Sequence, residues 1–373
     1  MVQEAQILEV LRQIHDPDLE KDIVSLGFVK DLKVQGKNVA FTIQLSSPAT
    51  PSRDQIENQA TTLVAALDGV DKVFVHMSAE VPAASSLLAE NNIPGVKNLI
   101  AVSSGKGGVG KSTVAVNIAC QLAKTGAHVG LLDADVYGPN LPIMLGVSGR
   151  PELIDNKIQP RIAHGVKVMS MAFLLEEDQP VIWRGPMLHG AIKQFISDVQ
   201  WGEIDYLIVD LPPGTGDAQL SLAQQAHLMG SVIVTTPQEV SVLDVRKAVN
   251  MFKQVNVPVL GVVENMSGLV LEGKAEGANR VMLDGPEGPL YSACDSEGSF
   301  QFELDLFGSG GGEKISQLFD VPLLGSVPMD PAVRIGGDRG LPAVMARPHS
   351  LVAERFKDIV GQLAMQVSKT NLG

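Results

Sequence analysis

The stretch LIAVSSGKGGVGKST at 99–113 decides the fold. Leu99, Ile100, Ala101 and Val102 form a short aliphatic run without polar alternation, as a strand covered on both faces requires. Gly105, Lys106, Gly107, Gly108, Val109, Gly110, Lys111, Ser112 and Thr113 then fit the pattern GxxxxGKS, and an amphipathic helix is predicted over 112–125. Strand, glycine loop and helix in that order form the setting in which this pattern cradles nucleotide phosphates. The glycines allow backbone N–H groups to turn inward and approach phosphate oxygens closely, where a Cβ would obstruct them. Lys111 supplies a point charge for the β and γ phosphates, Ser112 offers its hydroxyl to Mg²⁺, and the helix start adds its positive end.

Beyond this loop, similar aliphatic runs recur at 129–132, 166–169, 206–209, 232–234, 259–263 and 323–327, with helical spacing at 187–199, 217–229, 241–255 and 312–319. Such alternation predicts an α/β fold, a doubly wound and mostly parallel sheet. The segment 268–307 is rich in Gly, Asp and Glu without a clear period, and reads as an inserted loop or lid. Upstream, helical spacing over 3–14, alternation at 31–34 and 39–45 around Gln35-Gly36, a second helix over 52–67 and a strand at 73–77 make a small α+β unit, αββαβ. The expected organisation is a small domain over 1–79, a linker over 80–97 gathering Pro, Ala, Ser and Asn, and an ATPase domain over 98–373.

The 373 residues carry a net charge of −13, which argues against broad attraction to nucleic acid or anionic lipid. The N-terminus has acid where a signal peptide needs base, and no apolar run is long enough to span a membrane. Two cysteines, Cys120 and Cys294, cannot build a disulfide framework or a zinc ribbon. Together these features suit a reducing, cytoplasmic setting. Cys120 lies among Val116, Ala119 and Ala123 and reads as an inert core thiol; Cys294 stands in a polar segment and is either a ligand or an incidental thiol. The helix expected over 350–367 mixes Arg355 and Lys357 with Glu354 and Asp358 on its polar face, which favours docking on the core over a membrane. Arg184 and His189 flank a predicted helix start; Arg184 suits a contact to a switch or a dimer partner, and His189 reads as an ordinary imidazole.

KGGVGKS at 106–112, with Lys106 inside the loop, resembles the variant phosphate loop of the MinD, ParA and nitrogenase iron-protein superfamily. The resemblance implies a homodimer closed by ATP, in which Lys106 reaches the partner's phosphates. Asp133 and Asp135, two apart at a strand end, share one side of an extended segment. By resemblance Asp135 positions or activates the attacking water and Asp133 helps near Mg²⁺. The strand 206–210 ending in Asp210, followed by LPPGTGD, resembles a Walker B and switch pair. There Asp210 would act on Mg²⁺ through water and the Gly214 amide would sense the γ phosphate. Asn265 would contact the adenine edge.

The strings LLDADVYGPNLPIMLG, WRGPM, DYLIVDLPPGTGDAQL, TTPQEVSVLDVRKA, ENMSG and FGSGGGEK narrow the resemblance to the Mrp/ApbC iron–sulfur carrier ATPases. DPDLEKDIVSLGFV at 16–29 is similar to the unit that precedes the ATPase in that family and occurs alone in iron–sulfur assembly factors. The resemblance implies ATP hydrolysis coupled to transfer of a 4Fe–4S cluster to apoproteins, with assembly factors as partners and neither nucleic acid nor membrane as a target. Relatives usually carry CxxC between the ENMS and FG.GGGE strings, so that two protomers supply four thiolates. Here that interval holds Cys294 and no histidine, and Thr50 stands where the small unit's cysteine is usual. Two rival readings therefore remain: an ATP-dependent assembly adaptor without its own cluster, and a MinD/ParA-like positioning ATPase.

Overall fold

The computed structural model describes every residue except 1, 18, 85–92, 136–137, 174–189, 191–193, 196, 215, 217–218, 221–222, 224–227, 286–287 and 373. Arg184 and His189, and much of the helices expected over 187–199 and 217–229, lie outside the described residues.

The N-terminal unit runs α1 (Glu4–Leu11), two two-residue strands β1 (His15–Asp16) and β2 (Lys21–Asp22), β3 (Val29–Gln35), β4 (Asn38–Leu45), α2 (Arg53–Ala65) and β5 (Lys72–Ala79). β3 and β4 pair antiparallel, β4 and β5 parallel. Strict alternation along β4 sends Val39, Phe41, Ile43 and Leu45 into a core shared with Ile7, Leu11, Ile56 and Val64. That core is distinct from the larger one downstream.

The larger unit begins with β6 (Val96–Ser104), α3 (Lys111–Lys124), β7 (Val129–Asp133), α4 (Leu141–Leu145) and the short strands β8 (Leu153–Ile154), β9 (Lys157–Ile158) and β10 (Arg161–Ala163). β11 (Val166–Ser170), β12 (Ile204–Asp210), β13 (Gly230–Thr235), α5 (Glu239–Gln254) and β14 (Val259–Lys274) follow. The chain ends with β15 (Arg280–Gly285), β16 (Gly288–Ala293), β17 (Ser299–Leu304), α6 (Gly311–Phe319), β18 (Leu323–Met329), α7 (Pro331–Asp338), α8 (Ala343–Ala346) and α9 (Leu351–Leu372). The sheet order is β10-β11-β7-β12-β6-β13-β14-β17, with β18 also on β14, and only the β10–β11 and β14–β17 pairs are antiparallel. From β6 the chain crosses to β7 on one side, and β12 hands over to β13 on the other. The phosphate loop thus leaves the carboxyl end of β6 where strand order reverses, the usual ligand crevice of an open α/β sheet.

The segment 268–307 differs from expectation. It is no loop: β14 continues to Lys274 and pairs with β17, while β15 and β16 form a separate hairpin. That hairpin is exposed along most of its length, Met282 by 54% and Tyr291 by 51%, so neither face imposes an apolar period.

α9 docks on the core through Val352, Phe356, Ile359, Val360, Leu363 and Val367, as its pattern predicts. Its far side meets the small unit: Ser368 Oγ donates to Ser46 Oγ at 2.9 Å, and a Cβ on Gly361 would lie 2.6 Å from Pro51 Cγ. Glycine there costs helix propensity and permits the close approach. Ser47 Oγ and Tyr206 OH, 3.2 Å apart, add a second polar tie. Among the described residues no helix is long and apolar enough to cross a membrane.

Candidate functional site

The site is built where β6, β7 and β12 end together. Gly108 and Gly110 adopt left-handed backbone, φ +81 and +82, which reverses the chain into α3 with Gly110 as its N-cap. At Gly105 the constraint is proximity instead, since a Cβ would run into the Asp244 backbone of α5. Ser104 Oγ donates to the Lys106 carbonyl at 2.8 Å, fixing the start of the loop and leaving Lys106 partly exposed.

Lys111, 6% exposed, places Nζ 2.5 Å from Asp210 Oδ1 and 3.9 Å from Asp135 Oδ2. Ser112 Oγ donates to Asp210 Oδ2 at 2.6 Å. Burial raises the Asp210 carboxyl above the usual range, and Lys111 and Ser112 pull it partly back. Asp133 accepts from Ser170 Oγ at 2.9 Å and from the N–H groups of Asp135 and Leu141. Burial first, then the Asp210 charge, push it up to about 8. Three carboxylates, one ammonium and two hydroxyls therefore meet in one small volume. Asp133 and Asp210 lie side by side because β7 and β12 are in register there.

Asn265, 8% exposed, donates from Nδ2 to the Val109 carbonyl at 2.9 Å, binding the middle of β14 to the phosphate loop. Together with Gly110, Thr113, Met266, Met329 and Phe356 it lines an adjoining cleft of about 670 Å³. The Gly214 N–H donates to the Ser104 carbonyl at 3.1 Å, which ties the segment after β12 to the start of the phosphate loop. The cleft wall from α7 was not foreseen. Asp330 caps that helix by accepting from the Ala332 N–H at 2.7 Å, and Pro331 occupies its first turn, a readable Asp-Pro start signal.

The structure does not bring Cys294 to this site's carboxylates. It follows β16, partly exposed, with its N–H donated to the Asn279 carbonyl at 3.0 Å. Among the described residues no group of three or more His, Cys, Asp or Glu is disposed to hold a metal ion. Cys120 is fully buried in α3, and burial pushes its thiol up to about 12. Thr50 Oγ1 donates to the Ser47 carbonyl at 2.8 Å inside the loop that meets α9.

Comparison with known proteins agrees with this geometry. The family described as "NUBPL iron-transfer P-loop NTPase" matches residues 95–284 and 291–364, and that described as "Iron-sulfur cluster assembly protein" matches 4–76. The chain is 49% identical over 371 residues to an iron-sulfur cluster carrier protein of Synechocystis, covering 98% of each chain. It is 44% identical to a protein of the same description from Deinococcus radiodurans, covering 98% of this chain and 96% of that one. Among solved structures, a nucleotide-binding protein from Archaeoglobus fulgidus in complex with ADP is similar at 36% identity and a TM-score of 0.53, covering 68% of this chain and 90% of its own.

Proposed function

Because the chain belongs to the NUBPL iron-transfer P-loop NTPases, with an iron–sulfur assembly unit ahead of the ATPase, we propose that it carries iron–sulfur clusters to apoproteins in an ATP-driven cycle. The observation that supports the ATPase half most directly is the Lys111, Ser112, Asp210 and Asp133 constellation at the mouth of a glycine loop.

The donor set suits a hard divalent cation: Ser112 hydroxyl and the Asp210 carboxylate lie 2.6 Å apart, with Asp133 next to them. When bound, magnesium neutralises charge building on the transferring phosphoryl group. Lys111 exchanges its Asp210 partner for the β and γ phosphates, and the loop amides of 105–110 cradle them. Asp135, within 3.9 Å of Lys111 Nζ, orients the attacking water. Asn265 presents its amide to the base in the adjoining cleft. Lys106, partly exposed at the loop's start, completes a second protomer's site in this reading, in which the protein acts as a homodimer. In this reading the small unit, 1–79, receives cargo or partners, and 80–97 tethers it to the ATPase unit, 98–373. A reducing cytoplasm suits cargo of this chemistry.

A second reading is favoured by Cys294 being the single thiol between the ENMSG and FGSGGGEK strings. In it the protein is an ATP-dependent adaptor that brings apoprotein and cluster donor together. Anaerobic reconstitution with iron and sulfide, followed by absorbance and metal analysis of wild type and Cys294→Ser, separates the two. A stoichiometric cluster lost in Cys294→Ser supports the carrier with Cys294 as ligand; a cluster indifferent to the substitution overturns Cys294 bridging, and no cluster in either protein favours the adaptor.

A further inference from the structure

β14 serves two structures. Its first half lies in the central sheet, pairing with β13 up to Glu264 and with β18 up to Asn265, with one further β18 partner at Leu269. From Leu269 onward it pairs antiparallel with β17. Between these halves the register breaks, with Met266 at φ +60 and Gly268 at φ +77. Left-handed backbone at a methionine is held only where its surroundings enforce it. The group in position to do so is Glu264, 2% exposed. Its Oε1 accepts from Ser267 Oγ at 2.7 Å, across the break, and its Oε2 accepts from the Gly312 N–H at 2.6 Å, in the first turn of α6. A Cβ on Gly312 would lie 3.0 Å from Glu264 Cβ and 2.8 Å from Leu323 Cδ1, so the helix end is pressed onto the strand without room for a side chain. The two residues inside this bracket are those that reach the cleft: Asn265, bonded to Val109 O, and Met266.

We infer that Glu264 is a positioning residue for nucleotide binding: it holds the turn that aims Asn265 at the phosphate loop and Met266 into the cleft. The inference rests on the reading of that cleft as the nucleotide's. Glu264 acts through Asn265, with one carboxylate oxygen on the strand and the other on a separate helix. Each bond restrains the break, and the two together tie it to α6.

The test is steady-state ATP turnover and titration of a fluorescent ATP analogue with the full chain. Glu264→Ala loses a buried charged acceptor for two donors, and its KM for ATP rises about tenfold or more, with kcat within about twofold of wild type. Glu264→Gln keeps an acceptor for Gly312 N–H and offers an N–H to Ser267 Oγ, so affinity returns to within about threefold of wild type. Asn265→Ala alone weakens binding, and adding Glu264→Ala to it weakens binding little further. Should Glu264→Ala fail to fold, Ser267→Ala removes the strand-side bond alone and raises KM about threefold. A wild-type KM in both Glu264→Ala and Ser267→Ala, or full additivity with Asn265→Ala, overturns the positioning role. If Asn265→Ala itself leaves affinity unchanged, the cleft reading fails and Glu264 falls with it. If Asn265→Ala weakens binding while Glu264→Ala does not, only the positioning role is lost.

Discussion

Alanine at Gly108 and at Gly110 poses the same backbone question with different surroundings. Both residues sit near φ +80, where an L side chain costs about 1–2 kcal/mol. Around Gly108 nothing lies within 4 Å of an added Cβ, so Gly108→Ala costs that strain alone. At Gly110 the new methyl overlaps Asn265 Nδ2, which must leave the Val109 carbonyl. The lost hydrogen bond adds about 0.5–1.5 kcal/mol and the displaced rotamer about as much again. Gly110→Ala therefore destabilises by about 2–5 kcal/mol, against about 1–2 kcal/mol for Gly108→Ala. In an Asn265→Ala background the excess disappears and the two glycine substitutions cost the same. Urea unfolding of the nucleotide-free chain, followed by tryptophan fluorescence, gives the four values as midpoint times slope. An equal cost of Gly110→Ala with and without the Asn265 side chain would refute the steric link between loop and strand.

Lys111→Ala abolishes ATP turnover; retained turnover would remove Lys111 from the phosphate site. Asp135→Ala binds ATP within a fewfold of wild type while hydrolysis falls by roughly 10²–10⁴, and a normal rate would exclude a water-orienting role. Gly361→Ala meets Pro51 Cγ at 2.6 Å, costing about 1–3 kcal/mol of overpacking against about 1 kcal/mol gained in helix propensity. In a Pro51→Ala background the same substitution becomes stabilising by up to about 1 kcal/mol, and thermal unfolding showing no change of sign would contradict the contact. At pH 8 an aromatic disulfide reagent reacts with one thiol per native chain, Cys294; two rapid thiols would refute the burial of Cys120. Burial holds Cys120 and Tyr206 protonated up to about 12, above their unfolded values near 8.5 and 10. The stability they add is complete below those unfolded values and lost as pH rises to about 12, so the urea midpoint falls above about pH 8.5. A flat profile to pH 11 would contradict it.

The central strands were legible because each is covered on both faces. Ile208 and Val234, for example, are fully buried, and such positions write aliphatic residues into the sequence. The loop from Gly105 to Lys111 was legible for another reason: close approach of backbone to phosphate admits few alternatives to glycine. β15 and β16 were not legible, since no residue of the hairpin is fully buried and the half-burial that alternates along β15 is not repeated along β16. Glu264 also escaped notice. An acid after an aliphatic run resembles any strand end, and its partner, the Gly312 amide, is supplied from a distant part of the chain that no local pattern connects to it. The proximity of Asp133 and Asp210 needed the β7–β12 register, although each alone stood out at a strand terminus.

α9 passes from one end of this arrangement to the other. Phe356 borders the cleft and Ser368 meets the small unit, about 18 Å further along the axis at roughly 1.5 Å per residue. A helix packed along that length behaves as a stiff rod, since compressing it would break backbone hydrogen bonds. A displacement of Phe356 by a ligand must therefore reappear as a push or tilt at Ser46 and Pro51, or be absorbed by unpacking the core beneath. The C-terminal helix is in this sense the chain's mechanical linkage, with the cleft at one end and the small unit as the load at the other.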